Sequence, residues 1–417
     1  FLQDFGAHLA PMVAMPPQSV PKGPEDTSTL RLAARVQGDH GFVFVNNYLR
    51  LYPLPERQDF QIRLKLPTET LAVPRNPTNI PAGAYFIWPV NLDLGGVILK
   101  YATAQLLTRL KEGKSDYYFF FQQPGIAPEF VFDGRSVASL EAGEASVRRD
   151  GDGIYVSGIT AGPAVAVTLR SPAGKVTRIV VLTRSQAENT WQAVIRGQKH
   201  LFLSSADVFF EGARMHLRSR DANALTLSIF PNLKPSSTSF HSAGRAGIFA
   251  TYTTKVHPKE IPMRWEKIRD AAPSTPVRKG KYNALAPTGT DFDQAAVWRI
   301  SLPENALQGL SDVFLHIEYI ADVARLYHSA AAVRVSSPAA DLLSDDFYKG
   351  TAWEVGLKRF APQAFHKLDL KLMPLRKDAP IYLPQKAWPP FPPQGELAEV
   401  RKITTIPEYE AVVEFGP

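Results

Sequence analysis

Cysteine is absent from this chain of 417 residues, so neither disulfides nor thiolate metal sites hold it together, and its compartment is left open. No apolar run approaches the roughly 18 to 20 residues that cross a bilayer as a helix, so no membrane span is expected. An excess of one charge is also missing: 47 basic residues stand beside 40 acidic ones. The basic residues are spread evenly, and their densest clusters, Arg148-Arg149 and Lys279-Gly-Lys281, are short. The net charge of +7 therefore reads as ordinary solvated surface, and nucleic acid is not an expected partner. There is no Gly-x-Ser-x-Gly elbow, no Gly-x-Gly-x-x-Gly and no phosphate-binding loop, which leaves acyl transfer and nucleotide chemistry without an anchor. The nine histidines include no His-Glu-x-x-His and no pair at ligand spacing, so no metal or cofactor is expected. His316 lies in an alternating run and is expected to face solvent.

Proline is what the chain has in plenty. Its 35 prolines are too many for a helical protein and punctuate short runs throughout. Hydrophobic residues at 45% and charged residues at 21% describe a globular chain, and its length predicts two or three domains. The expected class is all-β, several β-sandwich or jelly-roll domains with few short helices.

The stretch Ile80 to Asp133 organises the rest. It contains Tyr85, Phe86 and Trp88, then Asn91-Leu-Asp-Leu-Gly-Gly96, then the apolar block Tyr117 to Phe121. Such a block bounded by Gly and Pro predicts a strand buried on both faces, or the seam between two sheets. Upstream, Leu2, Phe5 and Leu9 fall at helical spacing until Pro11 stops them, and residues 13–30 read as a Pro-rich linker. The first segment, 1–30, therefore reads as the last helix of an upstream domain plus a linker, and the chain reads as a mature or excised piece with no targeting signal. A β-domain is expected over 31–135, including an alternating strand from Phe60 to Leu66 and a strand or short helix over Thr103 to Lys111. A second sandwich is expected over 136–262. In it, Arg149-Asp-Gly-Asp-Gly153 reads as a hairpin turn, since a calcium loop needs about six oxygen ligands. There, too, Ser185-Gln-Ala-Glu188 reads as a capping box opening a helix that runs through Trp191 and Ile195 to Gly197. A jelly-roll domain is expected over 263–417, with strands at Ala296–Leu302, Val313–Tyr319, Val323–Tyr327, Phe365–Leu372 and Tyr409–Phe415.

Two clusters invite a binding role, each with a plainer alternative. Around Asp345-Asp-Phe-Tyr-Lys-Gly-Thr-Ala-Trp-Glu354, Tyr348 and Trp353 offer stacking faces for a sugar, with Asp346 and Glu354 as hydroxyl acceptors. The plainer alternative pairs Glu354 with Lys358 or Arg359 and uses the aspartates to start a turn. Tyr85, Phe86 and Trp88 are either core or a platform beside a ligand, together with Asn91 and Asp93. A catalytic carboxylate pair would be drawn from Asp345, Asp346 and Glu354, and would have to lie across one glycosidic bond.

Taken together these segments resemble glycoside hydrolase family 35, the β-galactosidases, in the part that follows the catalytic barrel. The likeness lies in Phe1-Leu-Gln-Asp-Phe-Gly6 with Leu9-Ala-Pro-Met12, in Gly41-Phe-Val-Phe-Val-Asn-Asn47, and in Ile80 to Pro89 with Asn91 to Gly96. It continues through Asp322-Val-Ala-Arg-Leu-Tyr327, Asp346-Phe-Tyr-Lys-Gly350, Trp353 to Phe360 and Leu375 to Tyr382. The resemblance implies a retaining hydrolase of terminal β-galactosides whose two glutamates sit on barrel strands, with a periplasmic or extracellular location. It favours strand over helix for Thr103 to Lys111. The barrel is missing here, and no Asn-Glu dipeptide occurs, so no catalytic residue is carried over. The Ala/Ser-rich Ser329–Asp341 departs from the tight hairpin the resemblance implies. The chain is thus expected to be non-catalytic, with a barrel and a β-galactoside or other carbohydrate as partners. An autonomous carbohydrate-binding or adhesion module is the alternative.

Overall fold

The computed structural model describes residues 1–417 apart from 51, 213, 221, 274–277, 282–283, 330–341, 349–351, 362–364, 382–387 and 417. The expected loop over Ser329–Asp341 lies almost wholly outside the described residues, as do the ends of the motifs at Asp346–Gly350 and Leu375–Tyr382. Strand makes up 53% of the chain and helix 6%, so the protein is all-β, built of packed, mostly antiparallel sheets. It condenses into two compact units: Phe1–Ser205 with Thr226–Thr253 and Glu414–Pro417, and Ala206–Leu225 with Thr254–Val413.

The first unit is layered. An eight-stranded sheet runs in the order Val13–Met15, Arg31–Gln37, His40–Asn46, Tyr85–Asp93, Ile98–Ala102, Phe130–Asp133, Gly153–Ser157, Ser146–Asp150. One face packs on a five-stranded sheet in which Ser115–Phe121 pairs antiparallel with Gln105–Glu112 and parallel with Val176–Leu182. Alternation decides what each side chain of Ser115–Phe121 meets. Tyr118 and Phe120 join Phe42, Phe130, Phe132 and Val181 in the core between these two sheets. Tyr117, Phe119 and Phe121 point the other way, into a core shared with Leu201, Phe230 and Phe249. The block is therefore a strand buried on both faces, as its unbroken apolar run predicts. On the far face of the eight-stranded sheet, the hairpin Arg57–Lys65 and Thr70–Ile80 covers Val43, Val45, Phe86, Trp88 and Val90. The core between the first two sheets draws on residues from Phe5 to Val181, so the expected boundary at 135/136 falls inside continuous packing.

Helix α1 (Leu2–Leu9) forms where the spacing predicts it, and buries Phe5 and Leu9 in that same core. Lys199 bridges to Asp4 at 2.6 Å, pinning the helix from outside. The stretch read as a linker is structured at its start: Val13–Met15 pairs with Arg31–Gln37 as an edge strand. Three residues suffice, because a sheet edge satisfies backbone groups that water would otherwise hold.

The helix expected from Ser185 to Gly197 is corrected to a single turn followed by a hairpin. Helix α2 spans only Arg184–Glu188, and its capping box is set two residues earlier, on Thr183 and Gln186. Thr190–Ile195 is a strand paired with Gln198–Leu203 around Arg196-Gly197, both with positive φ (52° and 74°). Thr190, Trp191, Val194 and Ile195 are β-branched or aromatic and suit a pleated surface, and glycine closes the two-residue turn. Gln105–Glu112 is strand, and Ser146–Asp150 and Gly153–Ser157 form the expected hairpin.

In the second unit two five-stranded sheets face each other. One contains Asp312–Ile320, Glu399–Glu414 and Trp353–Gly356; the other contains Ala296–Ser301, Lys367–Met373 and Val323–His328. Trp298, Ile300, Leu315, Ile317, Leu326, Leu370 and Ile403 fill the space between them, a β-sandwich core. Each strand expected here forms within a few residues of its predicted span, except that Tyr409–Phe415 is the end of the 16-residue strand Glu399–Glu414.

Candidate functional site

The sequence candidates separate into core and surface. Trp88 is fully buried, stacked on Phe86 with ring centroids 4.4 Å apart and with Phe60 at 6.1 Å. Trp353 is 6% exposed and stacks on Phe347 at 5.0 Å and 11°, inside the second unit's core. Neither indole presents a face to a ligand, because both lie on the inward side of their strands. Tyr85 and Tyr348 are the exposed aromatics of the set, each about half accessible.

Two of the three acidic candidates, Asp346 and Glu354, are engaged in ion pairs. Asp346 pairs with the half-buried Arg325, whose guanidinium lies 4.2 Å over the ring of Phe292. Tyr348 Oη reaches Asp346 only at 3.4 Å. Glu354 accepts from Arg220 at 3.2 Å and meets His316 Nδ1 at 3.1 Å. This corrects the expected pairing with Lys358 or Arg359. Lys358 and Arg359 lie beyond the end of the strand Trp353–Gly356, in a short 3-10 turn, whereas cross-strand residues stand directly opposite: His316 and Glu354 are register partners. His316 is correspondingly half-buried in a charge ladder rather than free in solvent. Asp345 is exposed.

A carboxyl group the sequence reading passed over is Asp322. Burial pushes it up to about 6, and no described side chain forms an ion pair with it. Nothing in its local sequence marks this, since the shift comes from packing alone.

The clefts of the first unit include two with contrasting walls. The larger, about 720 Å³, has an apolar floor that includes Phe44, Ile87, Leu107 and Phe121. At its rim Arg184 donates to Tyr85 Oη at 3.0 Å, Gln123 at 3.0 Å and Glu188 at 2.7 Å. The second, about 570 Å³, lies between the hairpin Arg57–Lys65/Thr70–Ile80 and the eight-stranded sheet, and is walled by charge. In it Lys100 bridges to Glu69 at 2.6 Å, and Asn91 Nδ2 donates to Glu69 at 3.3 Å and to the Asp39 carbonyl at 2.9 Å. Asn91 reaches both from a left-handed backbone, φ 47°, a conformation asparagine tolerates better than most residues. Thus Asn91 positions Glu69, while Asp93 holds the following turn by accepting from Gly96 N–H. Arg75 bridges to Asp150 at 2.6 Å and covers the ring of Tyr155 at 4.4 Å. Its Nη1 is buried without an acceptor among the described residues. Arg135 forms a forked pair with Asp133, 2.8 and 3.0 Å, with Asp152 at 3.8 Å. Tyr101 Oη donates to Glu129 at 2.7 Å, and burial holds the phenol well above its usual range.

Among the described residues, no group of three or more His, Asp or Glu is arranged to hold a metal ion, and no helix is long and apolar enough to cross a membrane. No family model matches the chain, and no curated protein matches it.

Proposed function

We propose that this chain is the non-catalytic β-domain region of a β-galactosidase-like glycoside hydrolase, supporting a catalytic barrel supplied by residues outside it. The supporting observation is what the motif residues do. Trp88, Phe86 and Trp353 fill cores, Asn47 Nδ2 ties the Pro55 and Pro81 carbonyls at 2.9 and 3.0 Å, and Asp346 and Glu354 tie neighbouring segments through ion pairs with Arg325 and Arg220. Every one of these is framework, the role expected of domains that brace a neighbour. Apolar residues left outside this framework around its first elements, Leu2 (70% exposed), Val13 and Met15, suit contact with a further protein body.

The test is to assay the chain on an aryl β-galactoside, alone and after mixing with a separately produced family 35 barrel. Silence alone and hydrolysis on mixing are expected. Turnover by the pure chain would overturn the proposal and direct attention to Asp322, Asp346 and Glu354. Silence in both, with the barrel itself shown to be folded, would favour the autonomous carbohydrate-binding module.

A further inference from the structure

We infer that the charged cleft beneath the Arg57–Lys65/Thr70–Ile80 hairpin is a binding site for a neutral, hydroxyl-rich ring such as a pyranose unit. Its volume of about 570 Å³ falls in the range of small-molecule sites, about 300–1,000 Å³. The wall carries Arg75, Lys100 and Arg135 among Glu69 and Asp152, and each cation already has a carboxylate partner within 2.8 Å: Glu69 of the wall for Lys100, and Asp150 and Asp133, just outside the lining, for Arg75 and Arg135. Paired in this way, the wall presents N–H donors and carboxylate lone pairs side by side with little net charge. A phosphate or a uronate would meet the carboxylates, and an amine would meet the guanidinium groups. A hydroxyl both donates and accepts, so adjacent hydroxyls can bridge such pairs without repulsion.

The cleft also has an apolar side that would suit the C–H face of a ring. Leu71, Ala72 and Val131 line it together with the Tyr155 ring, which is backed by Arg75 at 4.4 Å. Glycine is required at 153 to keep that ring in place: a Cβ there would stand 2.8 Å from the Tyr155 ring edge. The acceptor is held ready as well, since Asn91 and Lys100 fix Glu69 from two sides. Preorganised donors and acceptors beside an aromatic edge are what a weakly hydrophobic polyol needs for orientation.

This site is independent of the barrel-support proposal, because the mixing experiment does not report on it. The test is titration of the intact chain with methyl β-galactoside, lactose and maltose, followed by amide chemical shifts. Galacturonic acid and glucosamine serve as charged controls. Saturable binding of at least one neutral sugar is expected, with shifts centred on Lys100, Gly153 and Tyr155. Arg135→Gln, at a side chain 71% exposed and so safe for folding, and Glu69→Gln are each expected to weaken it about tenfold, the scale of one hydrogen bond to a charged group. Tyr85→Ala, in the other cleft, should leave it unchanged. The inference is overturned by no saturable binding up to about 100 mM, where even millimolar affinities would saturate. Binding that both Gln variants leave intact, with unchanged melting curves, would also overturn it, as would tighter binding of either charged control.

Discussion

Asp322 and His200 respond to acid in opposite senses, and each belongs to a different unit. Burial pushes Asp322 up to about 6, so between about pH 4 and 6 the folded chain keeps a proton that the unfolded chain has released. Acidification through that window therefore adds stability, and above it the buried anion is a standing cost. Asp322→Asn is expected to stabilise the second unit at pH 7.5 by about 1–3 kcal/mol and to flatten its pH dependence from 6 to 4. Denaturant unfolding at several pH values decides this, and a destabilised variant at pH 7.5 would refute it. His200 is buried with Nδ1 against the Pro231 carbonyl at 2.9 Å. Burial lowers its pKa, partly offset by that bond. Below about pH 6.5 the unfolded chain takes up a proton that the folded one resists, so stability is lost as pH falls. His200→Gln should lessen the acid sensitivity of the first unit, whatever its effect on absolute stability. A slope identical to that of the parent chain would count against the argument. Neither residue stands out in the sequence, because desolvation is a property of neighbours distant along the chain. Tyr85 and Trp88 carry the same lesson: three residues apart in one strand, one lies half-exposed at a cleft and the other in a core.

At the scale of elements, Ser115–Phe121 serves two cores at once. Phe119 is fully buried and touches Phe230 and Phe249, with ring centroids at 6.0 and 6.2 Å. Phe119→Ala is expected to destabilise the first unit by about 3–5 kcal/mol, read as a drop in the denaturant midpoint with an unchanged slope. A loss below about 1 kcal/mol would mean the core there relaxes freely, contrary to close packing. This strand is legible in the sequence because the five apolar residues Tyr117–Phe121 run without a break between Gly and Pro signals, a pattern that fits few alternatives. The helix expected from Ser185 to Gly197 does not form because a capping box followed by Trp191 and Ile195 four residues apart also occurs where a single helical turn feeds a hairpin. The deciding feature, pairing of Trp191 with Phe202 and onward to Ile229, is non-local.

For the whole molecule, the chain path matters more than the linear domain limits. The first unit takes residues from three separate stretches, and the second takes two. Truncation after Thr253 would leave Asp207–Glu211 and Arg214–Ser219 without the strand Glu399–Glu414 beside them. Met215 and Leu217, now fully buried, would face water. Such a fragment is expected to lose most of its soluble yield and to bind a hydrophobic dye. A monomeric fragment with the parent melting profile would show that the first unit folds alone. The same interleaving makes the barrel-mixing assay best done with the intact chain.

By itself the sequence determined the all-β class, the first helix, the hairpin at Asp150–Gly153 and the position of most strands, because these follow from backbone stereochemistry and short-range periodicity. Only the tertiary structure decided which strands pair, that Val176–Leu182 lies parallel to Ser115–Phe121, and that Trp88 and Trp353 are core. It also decided that Glu354 finds Arg220 rather than Lys358, and that Glu69, Lys100, Arg75 and Tyr155 wall one cleft. The parallel strand pairing and the Glu354–Arg220 and Glu69–Lys100 ion pairs join positions tens to more than a hundred apart along the chain, and no local pattern encodes them.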